Sequence, residues 1–136
     1  METTPLDHDI KVFYIPAKSF PDGIMEAHRT LHSLVPFSPN RKYFGISRPE
    51  NGQIVYRAAT EEINPGEAEK YNCDTLTLKK GNYLSTTLHD YMNDLAGIAK
   101  TFEQILSDPH IDPEGYCVEW YLSQKDVKCM VRLKDQ

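Results

Sequence analysis

The sequence predicts an α+β domain built from two successive strand–helix–strand–strand units. Apolar residues recur at helical spacing in two separate segments, which predicts two amphipathic helices. Stretches rich in β-branched and aromatic residues precede each helical segment and follow it in pairs, as strands do in hairpins. Short connections of this kind predict an antiparallel sheet with both helices on one face. We therefore expect the opposite face of the sheet to be free and a ligand cleft to lie between the two halves.

The first unit begins with a strand-like segment in residues 10–20, IKVFYIPAKSF. Ser19 and Asp22 form a helix-start signal of the capping type. An apolar stripe then predicts a helix over residues 24–34, and Pro36 ends it. The residues of this stripe are Ile24, Ala27, His28, Leu31, Leu34 and Val35.

A hairpin completes the first unit, with strands over residues 42–48 and 54–61. Asn51-Gly52 lies between them and favours the positive φ angles of a tight turn. A polar loop over residues 62–72 leads into the second unit. Its predicted elements are strands over residues 74–78 and 82–88, a helix over residues 95–106, and strands over residues 116–122 and 126–133.

Length and composition indicate one domain. The chain has 136 residues, of which 40% are hydrophobic and 26% charged. We expect residues 10–136 to form this domain and residues 1–9 to be a disordered or loosely attached tail. No apolar run is long enough to cross a bilayer, and the N-terminus lacks the basic and apolar regions of a signal peptide. The sequence therefore predicts a cytoplasmic protein without a membrane partner.

Charge and cysteine content exclude several other function classes. The net charge is −5, and the basic residues form only isolated doublets such as Lys79-Lys80. Nucleic acid is therefore not expected as a direct partner, because phosphate neutralisation needs a basic face. The three cysteines form no CxxC pair, and the glycines form no phosphate-binding loop. We expect no disulfide, no metal and no cofactor. His28 and His32 are one helical turn apart but lack a third ligand, so we interpret them as helix-surface residues.

Glu119 is the most informative residue of the chain. It lies in the middle of the apolar strand segment YCVEWYL, residues 116–122. Strand alternation puts Cys117, Glu119 and Tyr121 on one face and Trp120 on the other. An unpaired carboxylate buried in such a strand would cost several kcal/mol. Two alternatives stay open: a surface position paired with Lys128 or Arg132 on the next strand, or part of a functional site.

Four local motifs follow one another along the chain: YFGIS at residues 43–47 with IVYRAATE at residues 54–61, LTLKKGNYL at residues 76–84, HDY at residues 89–91, and VEWY at residues 118–121 with the final strand. In their order and spacing they resemble the gyrase-inhibitor-like (GyrI-like) domain, which is also the effector-binding domain of AraC-type and MerR-type bacterial transcription regulators. Together they extend over nearly the whole chain from Ile10 onward. The resemblance implies two pseudo-symmetric strand–helix–strand–strand units with a ligand cleft between them.

The resemblance also implies a ligand site. Glu119 matches a cleft-floor glutamate that holds lipophilic cations in multidrug-sensing relatives, and Tyr56 and Tyr121 match the aromatics around it. A cation restores the charged form of such a desolvated carboxylate, and the aromatic faces attract it. Tyr43 and Cys117 are expected as further ligand-binding residues, with Trp120 joining them if a bulge shifts the strand alternation.

Three function classes follow. The first is a stand-alone sensor or sink for a small, lipophilic or cationic organic molecule. The second is a cofactor-free hydrolase of electrophilic small molecules, in which Glu119 acts as the base for water and Tyr56 or Tyr121 as the orienting acid. The third is a protein-interaction inhibitor of the gyrase type, for which the acidic loop 61–69 would be the docking surface. A protein partner or a homodimer stays open.

Overall fold

In the computed structural model, which describes residues 1–135, eight strands form one antiparallel sheet that carries the helices. The strands are β1 (Glu2–Leu6), β2 (Ile10–Pro16), β3 (Tyr43–Glu50), β4 (Gln53–Glu61), β5 (Asp74–Leu78), β6 (Gly81–Leu88), β7 (Cys117–Tyr121) and β8 (Val127–Arg132). The helices are α1 (Ile24–Leu34), the short α2 (Glu67–Lys70) and α3 (Ala96–Leu106), and a 3-10 turn (Tyr91–Asn93) precedes α3. The predicted α+β fold class is confirmed.

The sheet is curled until its two ends approach each other. Its strand order is β1-β6-β8-β7-β3-β4-β2-β5, so β5 lies at one edge and β6 next to the other. Only two residues connect β5 to β6, and three connect β1 to β2. Connections this short cannot cross a flat sheet of eight strands. The two turns are joined where the Lys80 backbone N–H donates to Asp9 Oδ1 at 2.8 Å.

The two halves of the chain are related by pseudo-two-fold symmetry with a constant offset in sequence. β1 begins at residue 2 and β5 at residue 74, while α1 begins at residue 24 and α3 at residue 96; both offsets are 72 residues. Ile46 and Val118 are also 72 residues apart and pair directly where β3 meets β7. The pseudo-two-fold axis therefore passes between them. The halves exchange their first strands, since β1 pairs with β6 and β5 pairs with β2.

Both helices pack on the outer face of the curled sheet, as the sequence predicts. α1 covers the half formed by β2 and β4, where Phe13 and Ala58 pack against Ala27 and Leu31. α3 covers the other half, where its buried residues pack against β8. The strip of the outer face between the two helices is covered by neither of them.

The opposite face is not free, which corrects the expectation from the sequence. Because the sheet curls, its inner face closes on itself into a buried core. This core draws residues from β2 to β8, among them Val12, Phe44, Ile46, Ala59, Val118 and Met130, none of which is exposed.

Three further predictions differ from the structure. Residues 2–6 are not a loose tail but form β1, whose Thr4 hydroxyl lies 2.8 Å from the Ser85 hydroxyl of β6. Gly23 holds the N-cap position of α1 without a side-chain cap, so the predicted cap by Ser19 or Asp22 is wrong. The predicted polar loop contains α2. None of the helices within residues 1–135 is long and apolar enough to cross a bilayer.

Candidate functional site: a tyrosine-bound carboxylate between the two helices

Glu119 lies on the outer face of the sheet, close to the pseudo-two-fold axis. Its Oε1 atom accepts hydrogen bonds from the Tyr121 hydroxyl and, at 3.1 Å, from the Tyr56 hydroxyl. The two hydroxyl oxygens are themselves 3.1 Å apart. β7 supplies Glu119 and Tyr121 because alternate strand residues share a face, and β4 supplies Tyr56. A carboxylate oxygen and two phenol oxygens thus form a triangle, which we call the Glu119 centre.

Helix α1 contributes His28 to the Glu119 centre. The His28 Nε2 atom lies 2.8 Å from the Tyr56 hydroxyl. Burial and the neighbouring His32 lower the pKa of His28 to about 4, so the imidazole is neutral at neutral pH. The Tyr56 hydroxyl carries one proton and donates it to Glu119 when Nε2 carries the imidazole hydrogen.

The interpretation of His28 as a helix-surface residue is wrong. It lies in the apolar stripe of α1, one residue after Ala27 and three before Leu31, both of which are buried. That position in the stripe is the sequence signal that identifies His28 as an inward-facing residue.

Gly45 makes room for the Glu119 centre. It pairs directly with Glu119 across β3 and β7. A Cβ atom at this position would collide with the Tyr56 hydroxyl and lie 2.8 Å from Glu119 Oε1. Any side chain larger than hydrogen would therefore displace the hydroxyl from the carboxylate. The sequence alone does not identify this role, because it depends on which residue faces Gly45 across the sheet.

Aromatic rings surround the Glu119 centre on both sides. On the α1 side, the Phe20 ring stacks on the Tyr56 ring with centroids 6.2 Å apart. On the α3 side, the Tyr91 ring lies 5.8 Å from the Tyr121 ring. The His28 ring meets the Tyr121 ring edge-on at 5.3 Å and 89°. The carboxylate is therefore enclosed by aromatic surface.

No cationic side chain among residues 1–135 neutralises Glu119. Lys128 lies 3.8 Å from Glu2 and over the Trp120 ring, whereas Arg132 pairs with Asp112 and Asp135. The alternative of a surface pair with Lys128 or Arg132 is therefore wrong. Burial raises the pKa of Glu119 above its usual range, an effect that the two tyrosine hydroxyls partly oppose. Glu119 nevertheless stays partly exposed to solvent.

The tyrosines are held in their protonated form. Burial is the main cause that raises the pKa of both Tyr56 and Tyr121 well above the usual value, and the charge of Glu119 is the second cause. Both phenols therefore act as hydrogen-bond donors to the carboxylate across the neutral pH range.

The remaining residues predicted for the site lie beside the Glu119 centre or away from it. Cys117 is on the same face as Glu119 and packs, partly buried, against the apolar cluster beneath α3. Tyr43 is buried, and its hydroxyl accepts a hydrogen bond from the backbone N–H of Ser38 at 2.9 Å rather than contacting Glu119. Trp120 does not join the site. The β7 register carries no bulge, so its ring lies on the inner face against Phe44.

Other places on the molecule offer little chemistry. Within residues 1–135, no group of three or more histidine, cysteine, aspartate or glutamate side chains could hold a metal ion. A cavity of about 220 Å³ lies away from Glu119, beside Arg48, Tyr116 and Val118. The acidic loop is tied down, because Glu62 pairs with Lys11 and Glu67 with Arg41. Of the four glutamates in this loop, Glu69 is the one that stays exposed.

Comparisons with known proteins identify the fold. No protein-family model matches the sequence, and no curated protein matches it either. Among solved structures, an integron cassette protein from the mobile metagenome of Vibrio cholerae is similar, with a TM-score of 0.69 and 11% identity over 98% of this chain and 95% of that chain.

Two further solved structures share the fold. SAV2435, bound to tetraphenylphosphonium, has a TM-score of 0.65 and 13% identity over 98% of this chain and 93% of that chain. A hydrolase from Listeria innocua has a TM-score of 0.57 and 7% identity over 98% of this chain and 90% of that chain. At these identities the similarity concerns the fold alone.

Proposed function

We propose that the chain binds a small lipophilic organic cation at Glu119 and serves as a sensor or a sink for such compounds. One observation carries the proposal: a largely enclosed carboxylate has two hydroxyl donors but no cationic partner among residues 1–135. A bound cation would supply the missing charge.

The energetics favour a cation that is itself poorly hydrated. Enclosing Glu119 removes much of the water that would stabilise its charge, and this burial raises the pKa of the carboxyl. A strongly hydrated cation would lose its own water shell on entering, whereas a lipophilic cation loses little. The rings of Phe20, Tyr91 and Tyr121, which are at least partly exposed, then add apolar contact area and cation–π attraction.

Two independent lines support the proposal. The sequence motifs resemble those of GyrI-like domains, and in multidrug-sensing members of that family a glutamate at the position of Glu119 holds lipophilic cations. SAV2435, which shares the fold, was solved with tetraphenylphosphonium, a cation of this chemical class.

The proposal is tested by titrating the protein calorimetrically with tetraphenylphosphonium and with tetraphenylborate, an anion of the same shape. We expect the wild type to bind the cation and to discriminate against the anion. Glu119→Gln keeps the shape and the acceptor oxygen but removes the charge. It should weaken cation binding by about 1–3 kcal/mol, which is about fivefold to 150-fold.

Glu103→Gln is the matched control, because it removes the charge of an exposed glutamate on α3. It should leave both affinities unchanged. Equal cation affinity in the wild type and in Glu119→Gln would contradict the proposal.

Hydrolysis of an electrophilic small molecule is the second candidate function. It is favoured by the direct contact between a carboxylate of raised pKa, a better base, and two hydroxyl donors. It ranks second because the raised pKa values of Tyr56 and Tyr121 suit hydrogen-bond donation better than proton transfer. Incubation with strained-ring electrophiles such as epoxides distinguishes the hydrolase from the binding protein. A hydrolase should release diol with a rate that falls about a hundredfold or more in Glu119→Gln, whereas a binding protein should release none above the uncatalysed rate.

A further inference from the structure

The pseudo-two-fold symmetry of the chain continues into the surroundings of the Glu119 centre. The segments of residues 17–23 and 89–95 occupy corresponding places 72 residues apart, directly before α1 and α3. Each segment lays one aromatic ring against one of the two tyrosines that bind Glu119: Phe20 against Tyr56, and Tyr91 against Tyr121.

The outer margins of the two segments also correspond. Phe20 and Met92 are 72 residues apart, and they are 47% and 53% exposed. The Phe20–Tyr56 and Tyr91–Tyr121 ring pairs give the site apolar surface on two sides, one before each helix.

The charge of the site, in contrast, is central. Glu119 is one residue away from Val118, which with Ile46 marks the pseudo-two-fold axis. A ligand whose cationic atom lies at the carboxylate has apolar surface available in two directions. A ligand with its charge at one end can use only one of them.

We infer that this chain selects organic cations whose charge lies between two apolar arms, over isomers whose charge lies at one end. This inference rests on the proposed function and specifies the ligand class of that same site. One arm contacts the exposed Phe20 ring of the Phe20–Tyr56 pair, and the other contacts the half-buried Tyr91–Tyr121 pair. Aromatic arms suit both pairs, because offset rings add attraction beyond the area that they bury.

Two isomeric cations test the inference. Dibenzyldimethylammonium carries its charge between two phenyl rings, and (biphenyl-4-ylmethyl)trimethylammonium has the same formula and charge but carries the charge at one end. We expect the wild type to bind the first at least about fivefold more tightly, the order of one well-placed aromatic contact. Phe20→Ala and Tyr91→Ala should each weaken the first isomer by about three- to tenfold, while the second isomer should be weakened by only one of them.

Control variants distinguish a failure of the inferred ligand preference from a failure of cation binding itself. Leu106→Ala truncates an exposed apolar side chain at the far end of α3 and should change neither affinity. Tyr91→Phe keeps the ring and should retain the preference, which guards against a folding defect in Tyr91→Ala. Equal affinities for the two isomers, both lowered in Glu119→Gln, would overturn the inference and leave the proposed function standing. If neither isomer binds in a Glu119-dependent manner, the proposed function fails and the inference fails with it.

Discussion

The protonation state of Glu119 determines what the site can hold. Burial favours the neutral form of the carboxyl, whereas the hydroxyls of Tyr56 and Tyr121 favour the charged form. Burial is the larger effect, so the pKa lies above the usual range. A bound cation would favour the charged form further. Cation binding and protonation of Glu119 therefore oppose each other: a bound cation lowers the affinity of the carboxylate for a proton, and a bound proton lowers the affinity of the site for the cation.

This coupling predicts the pH dependence of cation binding. Above the raised pKa, Glu119 is charged and the affinity for tetraphenylphosphonium should be constant. As the pH falls through that pKa, the affinity should fall by up to about tenfold per pH unit, because binding then requires a proton to leave. Protonation of His28, whose pKa is about 4, adds a positive charge near Tyr56 and should weaken binding further. Titrations from pH 8 to pH 4 measure this profile.

The Glu119→Gln variant is the control for the pH profile. Its weak residual affinity should not change above about pH 5, because the substituted amide does not titrate and His28 gains a proton only at lower pH. Circular dichroism at each pH verifies that the protein stays folded. If the cation affinity of the wild type stays constant down to the usual pKa range of a glutamate, Glu119 is better hydrated than its surroundings indicate.

The sequence predicts individual site residues only where the information is local. Alternation along β7 is enough to place Glu119 and Tyr121 on one face and Trp120 on the other. Gly45 could not be identified in this way, because its role depends on the register between β3 and β7. His28 could have been identified, since its position in the helical stripe outweighs its polar character.

At the scale of elements, a buried ion pair helps to hold the α2 segment. The Glu67 carboxylate accepts a hydrogen bond from the Arg41 guanidinium at 2.8 Å. It also accepts hydrogen bonds from the backbone N–H groups of Ile63 and Asn64, at 2.7 Å and 2.9 Å. The Arg41 hydrogen bond is the main reason why the pKa of Glu67 falls to about 2. The carboxylate thereby fixes the loop between β4 and β5 onto the sheet.

Glu67→Gln should therefore destabilise the fold by roughly 2–4 kcal/mol at pH 7, because it also leaves Arg41 buried without its partner. The folded-state pKa of Glu67 lies below the unfolded value. Its contribution to stability is therefore present above that unfolded value, near 4.5, and is lost as the pH falls through about 2. Urea denaturation at pH 7 and pH 3 measures both effects, and the difference between variant and wild type should shrink at pH 3.

The exposed Glu69 of α2 provides the comparison for Glu67. Glu69→Gln removes the same charge from the same helix and should change stability by no more than about 0.5 kcal/mol. If both variants lose the same stability, the effect is due to net charge and not to the Arg41 pair.

Elements with strong local patterns are predicted well, and elements that depend on distant partners are not. The bounds of α1 match its apolar stripe, and α3 begins within one residue of its prediction. β1 was missed because ETTPL has no alternating apolar pattern and contains a proline, which is tolerated in an edge strand. Its partner, β6, lies about eighty residues away in the sequence.

At the scale of the whole molecule, symmetry explains what local patterns cannot. The repeated element pattern predicts two similar halves, but it does not show that they exchange β1 and β5. That exchange brings the sheet edges together and turns the inner face into a core. Since the inner face is closed, the Glu119 centre lies on the outer face between the helices.

The location of Glu119 should lower the stability of the ligand-free protein. A group whose folded-state pKa is raised contributes stability that is present below its unfolded pKa and lost as the pH rises through the folded pKa. The wild type should therefore be less stable at neutral pH than an otherwise identical protein with an uncharged residue. Such a cost is common where function requires a charge in an enclosed place.

We therefore expect Glu119→Gln to raise the urea midpoint at pH 7.5 in the absence of ligand, and the gain to shrink towards pH 4. The introduced amide keeps an oxygen that accepts from Tyr56 and Tyr121, so the variant tests the charge and not the hydrogen bonds. Glu103→Gln, which removes an exposed charge, should change stability by no more than about 0.5 kcal/mol. Tetraphenylphosphonium at a hundred times its dissociation constant should stabilise the wild type by about 2.7 kcal/mol and the variant much less. A variant that is less stable than the wild type at pH 7.5 would mean that the carboxylate holds the sheet together, and Glu119 would then be a structural residue.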